Sequence, residues 1–183
     1  LTYVHSVNVA LIASILGQWL KFSEKDIRIL TISGLLHDIG KIMIPNEILT
    51  KPGKLTVAEY NIMKQHVNFG YEKVKNQNID IRIKEACLLH HEKCDGTGYP
   101  FGLKSDHIPA VAKIIAIADV YDAMTSARVY RGALCPFEVI DTMYKDAFTK
   151  FEPEYILPFL KNVASSYINN DVRLSDGRIG KVV

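Results

Sequence analysis

Apolar residues recur at helical spacing along most of the chain, and the breaks between those runs mark out its elements. Val4, Val7, Leu11, Ile15 and Trp19 recur close to helical spacing, so a first helix is expected over residues 1–20. Ser23 is a suitable N-cap for a second helix over residues 24–36, and Gly40 stands where a helix would stop. Residues 45–53 read as a connecting loop with room for one short helical turn. Thr56-Val57-Ala58-Glu59 fits a capping box, which predicts a helix over about 57–76. Further helices are expected over roughly 81–91 and 109–125, and Pro136 and Pro153 suit the first turns of two more. Gly96, Gly98, Pro100 and Gly102 interrupt regular structure between them. From Val172 the pattern changes: two short apolar runs flank Ser175-Asp176-Gly177-Arg178, as in a hairpin turning at Asp-Gly. The expectation is an all-α bundle of about seven helices spanning 1–165, followed by a short β-hairpin-like extension over 166–183 that is read as truncated.

Composition narrows the function classes. The chain has 183 residues, 48% of them hydrophobic and 23% charged, enough for a sizeable core. A formal net charge of +2 gives no reason to expect a nucleic acid polymer or a membrane surface as partner, so any attraction for an anion must be local. Cys87, Cys94 and Cys135 form no Cys-x-x-Cys pair, and they read as reduced thiols in a cytoplasmic chain. No stretch is long and apolar enough to span a bilayer, and no signal-peptide pattern is present. Leu1 falls within an apolar period, so the chain is read as part of a longer protein, and a membrane anchor elsewhere in that protein stays open.

The histidines carry the chemistry. Five of the six, His5, His37, His66, His90 and His91, sit in patterns that suit metal chelation. Two doublets are central: His37-Asp38, just before Gly40, and His90-His91, just before the glycine-rich run. Adjacent helical residues point about 100° apart, so two neighbours serve one pocket most readily at a helix end. Asp119 lies in the apolar run from Val111 to Val120, where a buried carboxylate needs a cation or strong donors. The alternative for Asp119 is a structural ion pair with Arg128. His107, in a polar loop, is expected to be exposed, and Cys94 is only a marginal ligand candidate. Glu92 reads equally as a partner of a histidine or as a plain loop carboxylate.

The ordered set His-Asp, His, His-His, Asp resembles the HD phosphohydrolase superfamily. His90-His91-Glu92-Lys93-Cys94-Asp95-Gly96-Thr97-Gly98-Tyr99-Pro100 is similar to the signature of its HD-GYP branch, and Asp119 to Arg128 is similar to that branch's closing motif. The resemblance implies an all-helical bundle around a metal site. It implies His37, Asp38, His66, His90, His91 and Asp119 as metal ligands, with Asp38 bridging two metals and His5 ligating or lining the same pocket. Members with a third metal carry a Glu where this chain has Leu1, so two metals are expected. The closing Arg-Pro-Tyr-Arg of the family is Arg128-Val129-Tyr130-Arg131 here, which relaxes a turn without removing a functional group.

The implied activity is hydrolysis of the bacterial second messenger cyclic di-GMP to linear pGpG, to GMP, or to both. Two divalent cations would hold and acidify the attacking water between them, with Fe or Mn favoured by the His/carboxylate donor set and Zn compatible. His37, Asp38 and Lys41 are the expected catalytic residues. Lys41, Tyr99, Asp122, Arg128 and Arg131 are the expected substrate contacts, with Asp122 orienting a metal ligand or a ribose. The Gly-Tyr-Pro loop is also expected to contact a cyclase domain. Two rival readings remain: an HD-type hydrolase of another nucleotide or cyclic dinucleotide, and a non-catalytic cyclic di-GMP receptor or docking module.

Overall fold

The structure, a computed structural model, describes residues 2–126, 134–173 and 176–183. Leu1, Arg128 and Arg131 lie outside the described residues, and with them the expectations placed on those positions.

Its helices are α1 (Thr2–Trp19), α2 (Glu24–Leu36), α3 (Asn46–Leu49), α4 (Val57–Lys64), α5 (His66–Val74), α6 (Ile81–Leu89), α7 (Ala110–Thr125), α8 (Pro136–Lys145) and α9 (Pro153–Ser166). Tight 3₁₀ turns cover Ile39–Met43 and Ser105–His107. Two short strands, β1 (Asp171–Arg173) and β2 (Ile179–Lys181), pair antiparallel with Val172 opposite Gly180, forming the expected hairpin.

Local sequence sets most of these boundaries. Ser23 caps α2 by accepting from the Asp26 N–H, and Thr56 and Glu59 close a complete capping box on α4. Asp80 caps α6 through the Arg82 N–H, and Pro136 and Pro153 open α8 and α9. The expected helix over 57–76 is divided at Gln65 into α4 and α5. At the break the Met63 carbonyl accepts from the His66 ring Nδ1 at 2.7 Å, so a side chain takes up a group that an uninterrupted helix would use internally.

Apolar spacing alone does not say which face α1 buries. Val9, Ala10, Ala13 and Leu16 are buried, whereas Val4, Leu11 and Ile15 are exposed. Val4, Leu11 and Ile15 thus lie on the outer face of the helix, while Trp19 at its end packs against the core. Close packing selects the small residues instead: Gly34 of α2 rests on the backbone of Val9 and Ala10, and Gly17 of α1 lies against Ile27 and Leu30. Those contacts also make α1 and α2 antiparallel neighbours.

Helix α7 runs through the middle of the bundle. It is apolar nearly all round, with Val111, Ala112, Ile114, Ile115, Ile117 and Ala118 buried, as expected of a helix covered on every side. Trp19 and Tyr121 pack on Phe159 of α9 with ring centroids 6.2 and 5.1 Å apart. The buried carboxylates of α7 sit near its C-terminal half, and the polar ends of α2 and α6 meet them there.

Candidate metal centre

Five separate elements bring the site together. His5 comes from α1, His37 and Asp38 from the end of α2, His66 from the first residue of α5, His90 and His91 from the end of α6, and Asp119 from α7. Both doublets use a helix end, where the backbone turns. His37 keeps helical angles (φ −50°, ψ −39°), but Asp38 departs to φ −99°, ψ 10°, which turns the two side chains into one pocket. Gly40 allows this, because a Cβ there would lie 1.9 Å from the His66 carbonyl oxygen and 2.4 Å from the Gly70 nitrogen. Without a side chain at 40, the turn carrying Asp38 seats directly on α5 and beside His66.

The donor atoms fall into two groups. Asp38, His66, His90 and His91 each offer an atom within 4.8 Å of the others, and so do His5, His37 and Asp119. Asp38 stands between them. Its Oδ1 is 3.3 Å from His66 Nε2 and 3.8 Å from His90 Nε2, while its Oδ2 is 3.3 Å from His37 Nε2 and 3.6 Å from His5 Nε2. Asp119 lies 3.0 Å from His5 Nε2 and 3.9 Å from His91 Nδ1. Donors bound to one cation at about 2.1 Å sit about 3–3.5 Å from each other, so the Asp38 contacts to His37 and His66 and the Asp119 contact to His5 have metal-ligand spacing, and the others lie within a few tenths of an ångström of it.

Three imidazoles are fixed from behind. Nδ1 of His37, His66 and His90 donates to the carbonyls of Gly34, Met63 and Ala86 at 2.8, 2.7 and 2.9 Å, which leaves each Nε2 with its lone pair facing inward. His5 is held by a carboxylate: its Nδ1 lies 2.6 Å from Asp122 Oδ2. Asp122 Oδ1 accepts from Asn8 Nδ2 at 2.8 Å and Ser126 Oγ at 2.9 Å. Asp122 is buried, so both of its oxygens are spent on positioning the α1 side of the site.

Electrostatics favours the ligating forms of His66, His90, His91 and the two carboxylates, and works the other way at His37. Burial lowers the pKa of His66, takes His90 well below its ordinary value and pushes His91 down to about 4, so these rings are neutral at pH 7. For His37, burial works against the imidazolium but the Asp38 carboxylate outweighs it and raises the pKa. Burial likewise opposes ionisation of Asp38, and the His37 and Lys41 charges override it and hold the carboxyl well below the usual range. In Asp119, burial opposes ionisation, and the hydrogen bond from His5 overrides it and holds the carboxyl well below the usual range. Among the described residues three buried side-chain atoms have no hydrogen-bond partner, Ser33 Oγ, His37 Nε2 and Asp38 Oδ1, and the last two lie in the site. Buried polar atoms rarely stay unsatisfied, and a cation between the donor groups would satisfy both. The donor set therefore fits divalent metal.

Lys41 reaches back along the 3₁₀ turn to pair with Asp38 Oδ2, which puts its ammonium at the edge of the cluster. The Tyr99 ring stacks on His91 with centroids 4.7 Å apart and planes 27° apart. Gly98 packs against the 91–93 backbone, where a Cβ would come within 2.6 Å of main-chain atoms. Glu92 has a clear role that its sequence context left ambiguous. It is buried, and it accepts from the N–H groups of Phe101, Gly102 and Leu103 at 2.7, 3.2 and 2.9 Å. The available signal was an acid directly before a glycine-rich loop whose N–H groups have no helix or sheet to satisfy them. His107 is exposed, and Cys94 belongs to neither donor group.

The helical bundle and its paired His/Asp donor groups define an HD-type metal domain, and comparison with known proteins agrees. Residues 3–155 match the family described as "HD domain", and the chain belongs to that family. It is 38% identical over 183 residues to a cyclic di-GMP phosphodiesterase of Pseudomonas aeruginosa, PA4108, covering all of this chain and 44% of that protein. It is 41% identical over 155 residues to the cyclic di-GMP phosphodiesterase response regulator RpfG of Xanthomonas campestris, covering 84% of this chain and 41% of the relative. The chain thus spans less than half the length of either relative. Among solved structures, Bd1817, an HD-GYP-type protein from Bdellovibrio bacteriovorus, superposes with a TM-score of 0.74 at 22% identity, over 89% of this chain and 52% of that one. That likeness concerns the fold.

Proposed function

We propose that this chain is the catalytic domain of a metal-dependent phosphodiesterase that hydrolyses cyclic di-GMP to linear pGpG, to GMP, or to both. The observation that carries the proposal is Asp38, whose two oxygens face different imidazole groups, Oδ1 toward His66 and His90 and Oδ2 toward His37 and His5. A carboxylate so placed suits a bridge between two divalent cations, and relatives named as cyclic di-GMP phosphodiesterases support the substrate. Iron or manganese suits the mixed His/carboxylate set, and zinc is compatible.

When bound, such a metal pair acidifies water and stabilises charge on phosphoryl oxygens. The chain's own residues do the rest. His66, His90 and His91 with Asp38 would hold one cation, and His5, His37 and Asp119 with Asp38 the other. The backbone carbonyls behind His37, His66 and His90 aim each Nε2 into the pocket, and Asp122 orients the His5 ring through Nδ1. Lys41, at the edge of the cluster, can shift its ammonium from Asp38 to a phosphodiester oxygen. Tyr99 closes one side of the pocket against His91 and restricts how a ligand approaches.

The loop after Tyr99 supports the cyclase contact. Phe101 is 63% exposed although Glu92 anchors the backbone beneath it, so the loop presents a rigid apolar tip. We place the phosphohydrolase domain at 1–165 and treat 166–183 as an extension. No helix among the described residues is long and apolar enough to cross a membrane, which is compatible with action in the cytoplasm.

The test is to load the protein anaerobically with Fe, Mn or Zn, incubate it with cyclic di-GMP, and separate the nucleotides. Linear pGpG or GMP should form with at least one metal and none after chelation. Intact cyclic di-GMP under every metal condition would contradict the proposal.

A further inference from the structure

Helix α4 buries none of its residues, so its side chains are not explained by the core. Two of them, Tyr60 and Lys64, lie one turn apart and approach Tyr99, which borders the metal centre. The Tyr60 and Tyr99 rings meet edge to face, with centroids 6.5 Å apart and planes at 81°. The Lys64 ammonium is 5.3 Å from the Tyr60 centroid and 6.0 Å from that of Tyr99. Tyr99 in turn contacts two of the donor rings, His66 at 6.5 Å and His91 at 4.7 Å. Tyr60 itself is 47% exposed, which leaves part of its ring open to a ligand. Two nearly perpendicular aromatic rings and a cation thus form an open corner that adjoins one donor group of the metal site.

We infer that Tyr60, Lys64 and Tyr99 form a base-binding corner for one purine of the cyclic dinucleotide. This rests on the phosphodiesterase reading above and adds base recognition to it. A purine presents a π-face that stacks on an aromatic side chain whatever its substituents, so Tyr60 supplies affinity without choosing the base. Lys64 supplies the choice. Guanine offers two acceptors, O6 and N7, to an ammonium donor, whereas adenine sets a donating N6 amino group beside its N7. An ammonium held between the two rings therefore favours guanine. Tyr99 joins the corner to the reaction site, since the ring that bounds the base also stacks on His91.

The test is calorimetric titration of the metal-loaded protein with hydrolysis-resistant phosphorothioate analogues of cyclic di-GMP and cyclic di-AMP. Metal content is measured on every variant. Tyr60→Ala should weaken both analogues about tenfold, and Tyr60→Trp should bind them as wild type does. Lys64→Met should weaken the guanine analogue about tenfold and the adenine analogue much less, so the preference narrows. Metal content should match wild type throughout. If wild type binds the guanine analogue and Tyr60→Ala binds it equally well, the corner is wrong and the substrate reading stands. If Lys64→Met weakens both analogues alike, Lys64 does not select the base. If wild type holds its metals and binds neither analogue, the substrate reading fails and this inference fails with it.

Discussion

His5 and Asp122 are 117 residues apart in sequence and 2.6 Å apart in space, Nδ1 to Oδ2. This contact ties α1 to the central helix, α7, at the point where both contribute to the metal centre. Outer partners of this kind orient ligands, and their loss typically costs 10–100-fold in metal affinity or activity. Asp122→Asn keeps the size of the side chain and removes its charge. Metal titration should show affinity reduced by about tenfold or more with the helical signal in circular dichroism retained. Affinity within twofold of wild type would contradict the positioning role.

Gly40 is the backbone equivalent of that contact. A methyl group there would meet the His66 carbonyl oxygen at 1.9 Å, against main-chain atoms that have little freedom to move. Gly40→Ala should separate the Asp38 turn from α5, destabilise the protein by about 1–3 kcal/mol or more, and lower metal content. Gly180→Ala, where nothing lies within 4 Å, is the matched control and should change neither. Denaturant midpoints and metal analysis of the two variants provide the check.

These two contacts also show where the sequence was informative. The doublets at helix ends pointed to the pocket because adjacency and a following glycine constrain geometry locally. Capping residues and N1 prolines marked the starts of α2, α4, α8 and α9 for the same reason. The face of α1 was not legible: the helix is apolar on several sides, so periodicity cannot say which side is covered. The covering side was set by Ala10, Ala13 and Gly17, which permit close approach, while Val4, Leu11 and Ile15 stayed outside. The break at Gln65 and the anchoring by Glu92 depend on contacts made only after folding. The Asn8–Asp122 bond is partly legible in hindsight, since Asn8 lies three residues after His5 on the same helical face.

Two of the three thiols, Cys87 and Cys135, give an independent measure of the fold. Cys87 is buried, and burial pushes its thiol up to about 12; its Sγ also donates to the Leu36 carbonyl at 3.3 Å. Cys135 is exposed. Thiolate fraction and access set alkylation rates. Iodoacetamide at pH 8 should label Cys135 first and Cys87 only on unfolding, as read by peptide mass spectrometry. Labelling of Cys87 in the native protein at a rate like that of Cys135 would place α6 differently.

The central claim is that Asp38 is shared between two metal-holding groups. Anomalous scattering from crystals grown with iron or manganese tests it most directly. The account predicts two strong peaks on opposite sides of the Asp38 carboxylate, one within ligand distance of His66, His90 and His91 and the other of His5, His37 and Asp119. A single peak, or peaks away from Asp38, would contradict it.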